Sequence, residues 1–281
     1  MINAPRKGQI QRTTTRGVIA LLMISAGLYF TDPAKAEAVD LSLVLAVDIS
    51  GSVDDEEALL QRSGYVKALT DPRVVATIQQ GKLGRIAVTY FEWAGSHYQN
   101  ILVDWQVIED VNTAARFAAE IAAAPRLIEM YTSISGAIDF GVRRLRENPH
   151  SSPRTAIDIS GDGANNSGEQ LPSARDRAAN LGITINGLPI VNDRPSRFGR
   201  RQVANLDLYY RECVIGGPRA FLIVANGFID FARAIRRKLI LEIANHQPAN
   251  EDTKARIHLA ALPQSPGCDA GELRRRYIDD M

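Results

Sequence analysis

The sequence predicts a three-layer α/β/α sandwich, doubly wound around a central, mostly parallel β-sheet. Three observations predict it. The chain has 281 residues, 45% apolar and 23% charged, which is long enough to bury a sizeable core and ordinary for a globular domain. Short apolar runs of strand length alternate with longer segments of helical pattern. Several of those runs are continuous in Leu, Val and Ile, as in strands covered on both faces. Sheets of this kind bind ligands at the carboxyl ends of their strands, so the loops there are where chemistry is to be sought.

The elements follow in chain order. Residues 41–47 read as a buried strand, and residues 53–69 as a helix whose first turn carries Asp54, Asp55, Glu56 and Glu57 against the positive end of its dipole. Residues 85–93 and 98–107 are strands joined by a turn at Gly95 and Ser96. Residues 112–123 form an Ala-rich helix, and residues 133–147 another that ends before Pro149. A strand at 154–160, a helix at 171–181 stopped by Gly182, and a strand at 183–191 continue the alternation. A last strand at 220–225 and a last helix at 228–244 complete it. The stretch 192–217 is long for an α/β connection and reads as a surface excursion with one short helix. Beyond Ala244 the pattern decays around Pro248, Pro263, Pro266 and Gly267, so residues 246–281 read as a loosely ordered tail after an α/β domain at 37–245.

The first 36 residues read as a secretory signal peptide rather than as fold. Arg6, Lys7, Arg12 and Arg16 precede an apolar run at 17–30, and Ala34-Lys35-Ala36 offers small residues at a cleavage site. The run is shorter than the roughly 20 residues of a spanning helix, so stable membrane insertion after cleavage is not expected. Export points to the periplasm, with the cell exterior as the alternative. The formal net charge is +1, and losing the basic leader makes the remainder mildly acidic, which argues against a nucleic-acid partner. The two cysteines, Cys213 and Cys268, either pair outside the cytoplasm or leave Cys213 as a buried thiol. His97, His150, His246 and His258 show no zinc-type spacing. The basic runs 233–238 and 274–276 read as solvated faces.

The first strand runs into Asp48-Ile49-Ser50-Gly51-Ser52. Three oxygen-bearing side chains at alternate positions lie on one side of an extended segment, and Gly51 lets the chain turn between the serines. A carboxylate with two hydroxyls is a ligand set for Mg²⁺, Mn²⁺ or Ca²⁺. Thr132, beside Ser133, opens one later helix, and Asp162 follows the strand at 154–160 in Gly161-Asp162-Gly163. The same residue types also cap helices and build turns, and Ser52 can cap the helix that follows it. Asn165 and Asn166 either rim the site or form a turn. Asp158 is an odd carboxylate in an apolar strand, to be satisfied by Ser160, Thr155 or backbone.

This three-part pattern resembles the metal-ion-dependent adhesion site (MIDAS) of von Willebrand factor A-type (VWA) domains. The resemblance covers about residues 39–244. The segments VDISGSVD, IDISGDGANNSG, YYRECVIGGPRAF and FARAIRRKL are similar to a bacterial family of exported A-domain-like proteins that carries a domain-of-unknown-function label. The resemblance implies that Ser50, Ser52 and Thr132 bind a divalent cation through their hydroxyls, Mg²⁺ before Mn²⁺ or Ca²⁺. It implies that Asp48 and Asp162 act at or just behind them, through water or by orienting the serines. Ser133 competes with Thr132 for its role. An open position on the ion would take an Asp or Glu from a partner protein, so the expected function is metal-dependent protein binding and not catalysis. A metal-dependent hydrolase of a phosphate or ester, or a metal-free scaffold, is the alternative. An aspartyl-phosphate phosphatase would need an acid where Ser50 stands. A dinucleotide fold would need more glycine than Gly51. A serine hydrolase of the common α/β type would need a Gly-x-Ser-x-Gly elbow that the sequence lacks.

Overall fold

The protein is described from a computed structural model, which covers residues 1, 36–51, 53–125, 127, 129–192, 201–245 and 265–280. The expected leader, apart from Met1 and Ala36, lies outside the described residues, as does Ser52. Everything below concerns the unit Ala36–Met281.

The elements are β1 (Ser42–Asp48), α1 (Asp55–Leu69), α2 (Pro72–Gln79), β2 (Ile86–Trp93), β3 (Gln99–Ile108), α3 (Val111–Ala123), α4 (Ile134–Arg146), β4 (Thr155–Gly161), α5 (Leu171–Asn180), β5 (Thr184–Val191), α6 (Leu206–Tyr209) with a π-helical turn at Tyr210–Val214, β6 (Ala225–Asn226), α7 (Gly227–Ile243) and α8 (Ala270–Asp279). The sheet order is β3-β2-β1-β4-β5-β6. Among the strands named, the β2–β3 pairing alone is antiparallel, because a short turn joins those two strands, whereas helices cross over between the others. The expected three-layer fold is what forms.

The central strands are buried along their whole length, and alternate residues feed two separate cores. Leu43, Leu45 and Val47 of β1 pack with Tyr65 of α1 and Phe231 and Leu239 of α7. Val44 and Ala46 face the other way, onto Ile138 of α4, Ala174 of α5 and Tyr210. Helix starts are written locally. Asp54 accepts from the Glu57 N–H while the Glu57 carboxylate accepts from the Asp54 N–H, a reciprocal cap worth about 1 kcal/mol. No helix among the described residues is long and apolar enough to cross a membrane.

Three expectations need correction. The strand expected at 220–225 shrinks to the two residues of β6, paired with Ile190 and Val191 of β5; upstream of them the chain meets β5 at an isolated bridge between Leu222 and Gly187. The described part of the tail is ordered: Cys268 is disulfide-bonded to Cys213, and α8 follows. The 233–238 run is not a solvated face throughout, since Lys238 is fully buried. Its amine lies 2.6 Å from Asp158 and 3.4 Å from Glu242. Asp158 therefore finds an internal cation, not the hydroxyl or backbone partner expected. Asn186 completes the cluster by donating to Glu242 at 2.6 Å.

Candidate metal centre

The carboxyl ends of β1 and β4 and the loop before α4 converge. Asp48 is the last residue of β1 and is fully buried. Its Oδ1 accepts the Ser50 N–H at 2.7 Å, which curls the chain back after the strand. Its Oδ2 has no hydrogen-bond partner among the described residues. Burial pushes the Asp48 carboxyl well above the usual range, the nearby Asp162 carboxylate pushes it further, and the Ser50 hydrogen bonds pull the other way.

Thr132 reaches the same place from the loop before α4. Its hydroxyl donates to the Ser50 hydroxyl at 3.3 Å. Ser133 does not compete for this position: its hydroxyl caps α4 by accepting the Gly136 N–H at 3.2 Å. Asp162, just past β4, lines a cleft of about 230 Å³ together with Ser50 and Thr132. Of the five expected site residues, the structure thus gathers Asp48, Ser50, Thr132 and Asp162. Ser52 lies outside the described residues.

The loops are tied to one another. Asn166 accepts the Thr132 N–H at 2.9 Å and returns its own N–H to the Thr132 carbonyl at 2.8 Å, clasping the β4 loop to the Thr132 loop. Asn165 accepts the Ser135 N–H at 3.0 Å and so buttresses the start of α4. Asn166 also lines the cleft, as the rim reading expected, and both asparagines join loops. Arg62 forks onto Glu92 at 2.8 and 2.9 Å and donates to the carbonyls of Ala124 and Pro125, fixing the chain where it leaves α3 for Thr132.

Two features had no warning in the sequence. Tyr210 is fully buried, and its hydroxyl has no hydrogen-bond partner among the described residues. A Cβ on Gly161 would lie 2.8 Å from both that hydroxyl and Asp48 Oδ2, so glycine here keeps the space between them open. Burial first, and then the charges of Asp48 and Asp162, raise the Tyr210 hydroxyl well above the usual phenol range and keep it protonated as a donor. The second feature is α8, which forms a wall of the cleft. Gly271 sits so close to the Asn165 carbonyl that any side chain would overlap it. Arg275 donates to the Asn166 carbonyl at 3.0 Å and stacks 4.2 Å over the Tyr131 ring. The run 274–276 is thus partly built into the site. Tyr131 carries a left-handed backbone (φ +67°) immediately before Thr132, a local strain that this stacking helps to hold.

The donor set fits a hard divalent cation. It combines the buried Asp48 carboxylate, whose proton affinity Asp162 raises, one carboxylate oxygen without a hydrogen-bond partner among the described residues, and two facing hydroxyls. No group of three His, Cys, Asp or Glu side chains gathers among the described residues.

A family model described as "Protein of unknown function (DUF1194)" matches residues 38–247. The chain belongs to that family. No curated protein is similar enough to the chain to match it. Among solved structures, the pilus adhesin SpaC from Lactobacillus rhamnosus GG superposes with a TM-score of 0.53 at 14% identity, over 74% of this chain and 31% of that one. Proximal thread matrix protein 1 from the mussel byssus, in a structure with a zinc-occupied MIDAS motif, gives a TM-score of 0.50 at 13% identity, over 73% of this chain and 46% of that one. The chain therefore spans less than half the length of these neighbours. At such identities the likeness carries the fold, which is of the von Willebrand factor A type.

Proposed function

We propose that this DUF1194 member is an exported, metal-dependent protein-recognition domain. A divalent cation, Mg²⁺ before Mn²⁺ or Ca²⁺, would be held by the hydroxyls of Ser50, Ser52 and Thr132, with Asp48 and Asp162 at or just behind them. When bound, the ion supplies a positive centre for an Asp or Glu of a partner protein. The chain's own residues do the rest. Asp48 fixes the Ser50 turn, Asn166 fixes Thr132, and Tyr210 and Gly161 shape the space beneath. The observation that carries this reading is the buried Asp48, with one oxygen that has no hydrogen-bond partner among the described residues and a second carboxylate raising its proton affinity, beside two hydroxyls 3.3 Å apart. The zinc in the mussel protein's MIDAS motif and the adhesin neighbour are consistent with it. The leader read in residues 1–36 supports action in the periplasm or outside the cell.

The test is calorimetric titration of the purified chain with Mg²⁺, Mn²⁺ and Ca²⁺, beside a Ser50→Ala/Thr132→Ala variant. The expected result is saturable binding that the variant loses while its circular dichroism stays unchanged. Undiminished binding by the variant would put the ion elsewhere, and no binding by the folded native chain would end the proposal.

A further inference from the structure

The cleft over Ser50, Thr132 and Asp162 holds a second charged feature that the metal reading does not use. Arg201 and Arg274 both line it. The acidic groups on the same walls are engaged. Glu57 accepts the Asp54 N–H and the Asn192 side-chain amide, Asp279 meets Arg275 at 3.4 Å, and Asp162 belongs to the candidate centre. Arg275 is committed to Asn166, Tyr131 and Asp279. Arg201 and Arg274, by contrast, make no hydrogen bond or ion pair with any described residue. Two guanidiniums without a partner among the described residues thus line the cleft of the candidate centre, and a divalent ion there would offset the carboxylates on the same walls.

Both arginines are carried by segments fastened to the site. Arg201 precedes Gln202, whose amide donates to the Asp162 carbonyl at 2.6 Å and the Ile190 carbonyl at 2.7 Å. Arg274 lies on the face of α8 that also carries Gly271 and Ile278, and α8 is anchored through Cys268 and Arg275. The helix lies beyond the residues that the family model matches. A guanidinium presents a planar fork that fits a carboxylate.

We propose that the cleft recognises an acidic peptide segment carrying two carboxylates, one directed to the centre at Ser50, Thr132 and Asp162 and the other to Arg274 and Arg201. This rests on the centre being metal-bearing. Met130, Tyr131, Val203 and Ile278 supply the apolar wall against which the peptide between the two acids would lie.

The test uses the purified full chain in saturating Mn²⁺ and fluorescent, end-blocked hexapeptides. One peptide holds a single Asp, and a series holds an Asp and a Glu at increasing separation. Binding is read by anisotropy with and without chelator, at low and high salt. The expected result is that the best two-acid peptide binds about tenfold tighter than the one-acid peptide. That advantage should be lost in Arg274→Gln, partly kept in Arg274→Lys, and weakened by salt. Arg201→Gln, on a different segment, should cut it independently, so a disturbance of α8 alone would not decide the matter. Equal affinity for one and two acids, or an advantage untouched by both glutamine variants, overturns the second subsite and leaves the metal reading standing. No chelator-sensitive binding of any peptide overturns both.

Discussion

Two of the buried carboxylate sets at this sheet are compensated differently. Asp158 and Glu242 hold a cation of the chain's own, the fully buried Lys238 of α7, with Asn186 completing the network. Asp48 has no such cation among the described residues. Its neighbours are the Ser50 N–H, a second carboxylate and the Tyr210 hydroxyl. The two sets are near one another: Asp158 pairs with Leu45 across β1 and β4, three residues short of Asp48, and belongs to the opposite face of the sheet. An internal lysine makes a closed structural unit that joins α7 to the sheet. Carboxylates backed by hydroxyls at a cleft leave the positive charge to come from outside.

The largest effect should come from removing the internal cation. Lys238→Met keeps the apolar stem's volume but strands Asp158 and Glu242 without compensation, at a cost of about 3–5 kcal/mol. Denaturant melts would measure it. The triple variant Lys238→Met/Asp158→Asn/Glu242→Gln should recover most of the loss, because the charges leave together. Rescue of Lys238→Met by Mg²⁺ would break the comparison, since the closed cluster would then accept an outside ion too.

The converse variant sharpens it at the open site. Asp48→Asn keeps an acceptor for the Ser50 N–H and removes a buried charge. In chelator it should be more stable than the native chain by about 1–2 kcal/mol. The native chain should in turn gain about 2.7 kcal/mol from metal at a hundred times its dissociation constant, and the variant nothing. Thermal melts with Mg²⁺ and with chelator check both. A variant no more stable than the native chain in chelator would mean that Asp48 is already well compensated without an ion.

Much of this was legible in the sequence, for physical reasons. The buried run of β1 passing directly into Asp48 and Ser50 places oxygen ligands at a strand end, and the alternation of strands and helices fixes which end that is. Other parts were present but not taken. Asp71-Pro72 is a helix cap followed by proline at the first helical position, the start of α2. A carboxylate inside β4 demanded a partner, but Lys238 stands between arginines and Glu242, where helical spacing alone cannot tell a buried lysine from a solvated one. The docking of α8 was not legible at all. Gly271 against the Asn165 carbonyl and Arg275 over Tyr131 join residues more than a hundred positions apart, and no local pattern specifies such contacts.

The smallest expected effect is a pH dependence that separates the closed cluster from an ordinary ion pair. Asp158 is pushed up from 3.8 to about 7, by burial first; Lys238 opposes this and Glu242 adds to it, with Tyr65 of α1 facing the same charge. A carboxyl whose proton affinity rises on folding contributes stability that is complete below its ordinary value and lost as the pH climbs through about 7. The native chain should therefore lose stability relative to Asp158→Asn between about pH 4 and 7, and run parallel to it above about pH 8. Urea melts of both proteins across that range measure the difference, and subtraction removes the titrations they share, including those of the cleft. A gap that grows with pH means that Lys238 only partly offsets the burial of two carboxylates. A constant gap means that Asp158 is ionised throughout, and that the internal cation compensates its charge as fully as a bound ion would.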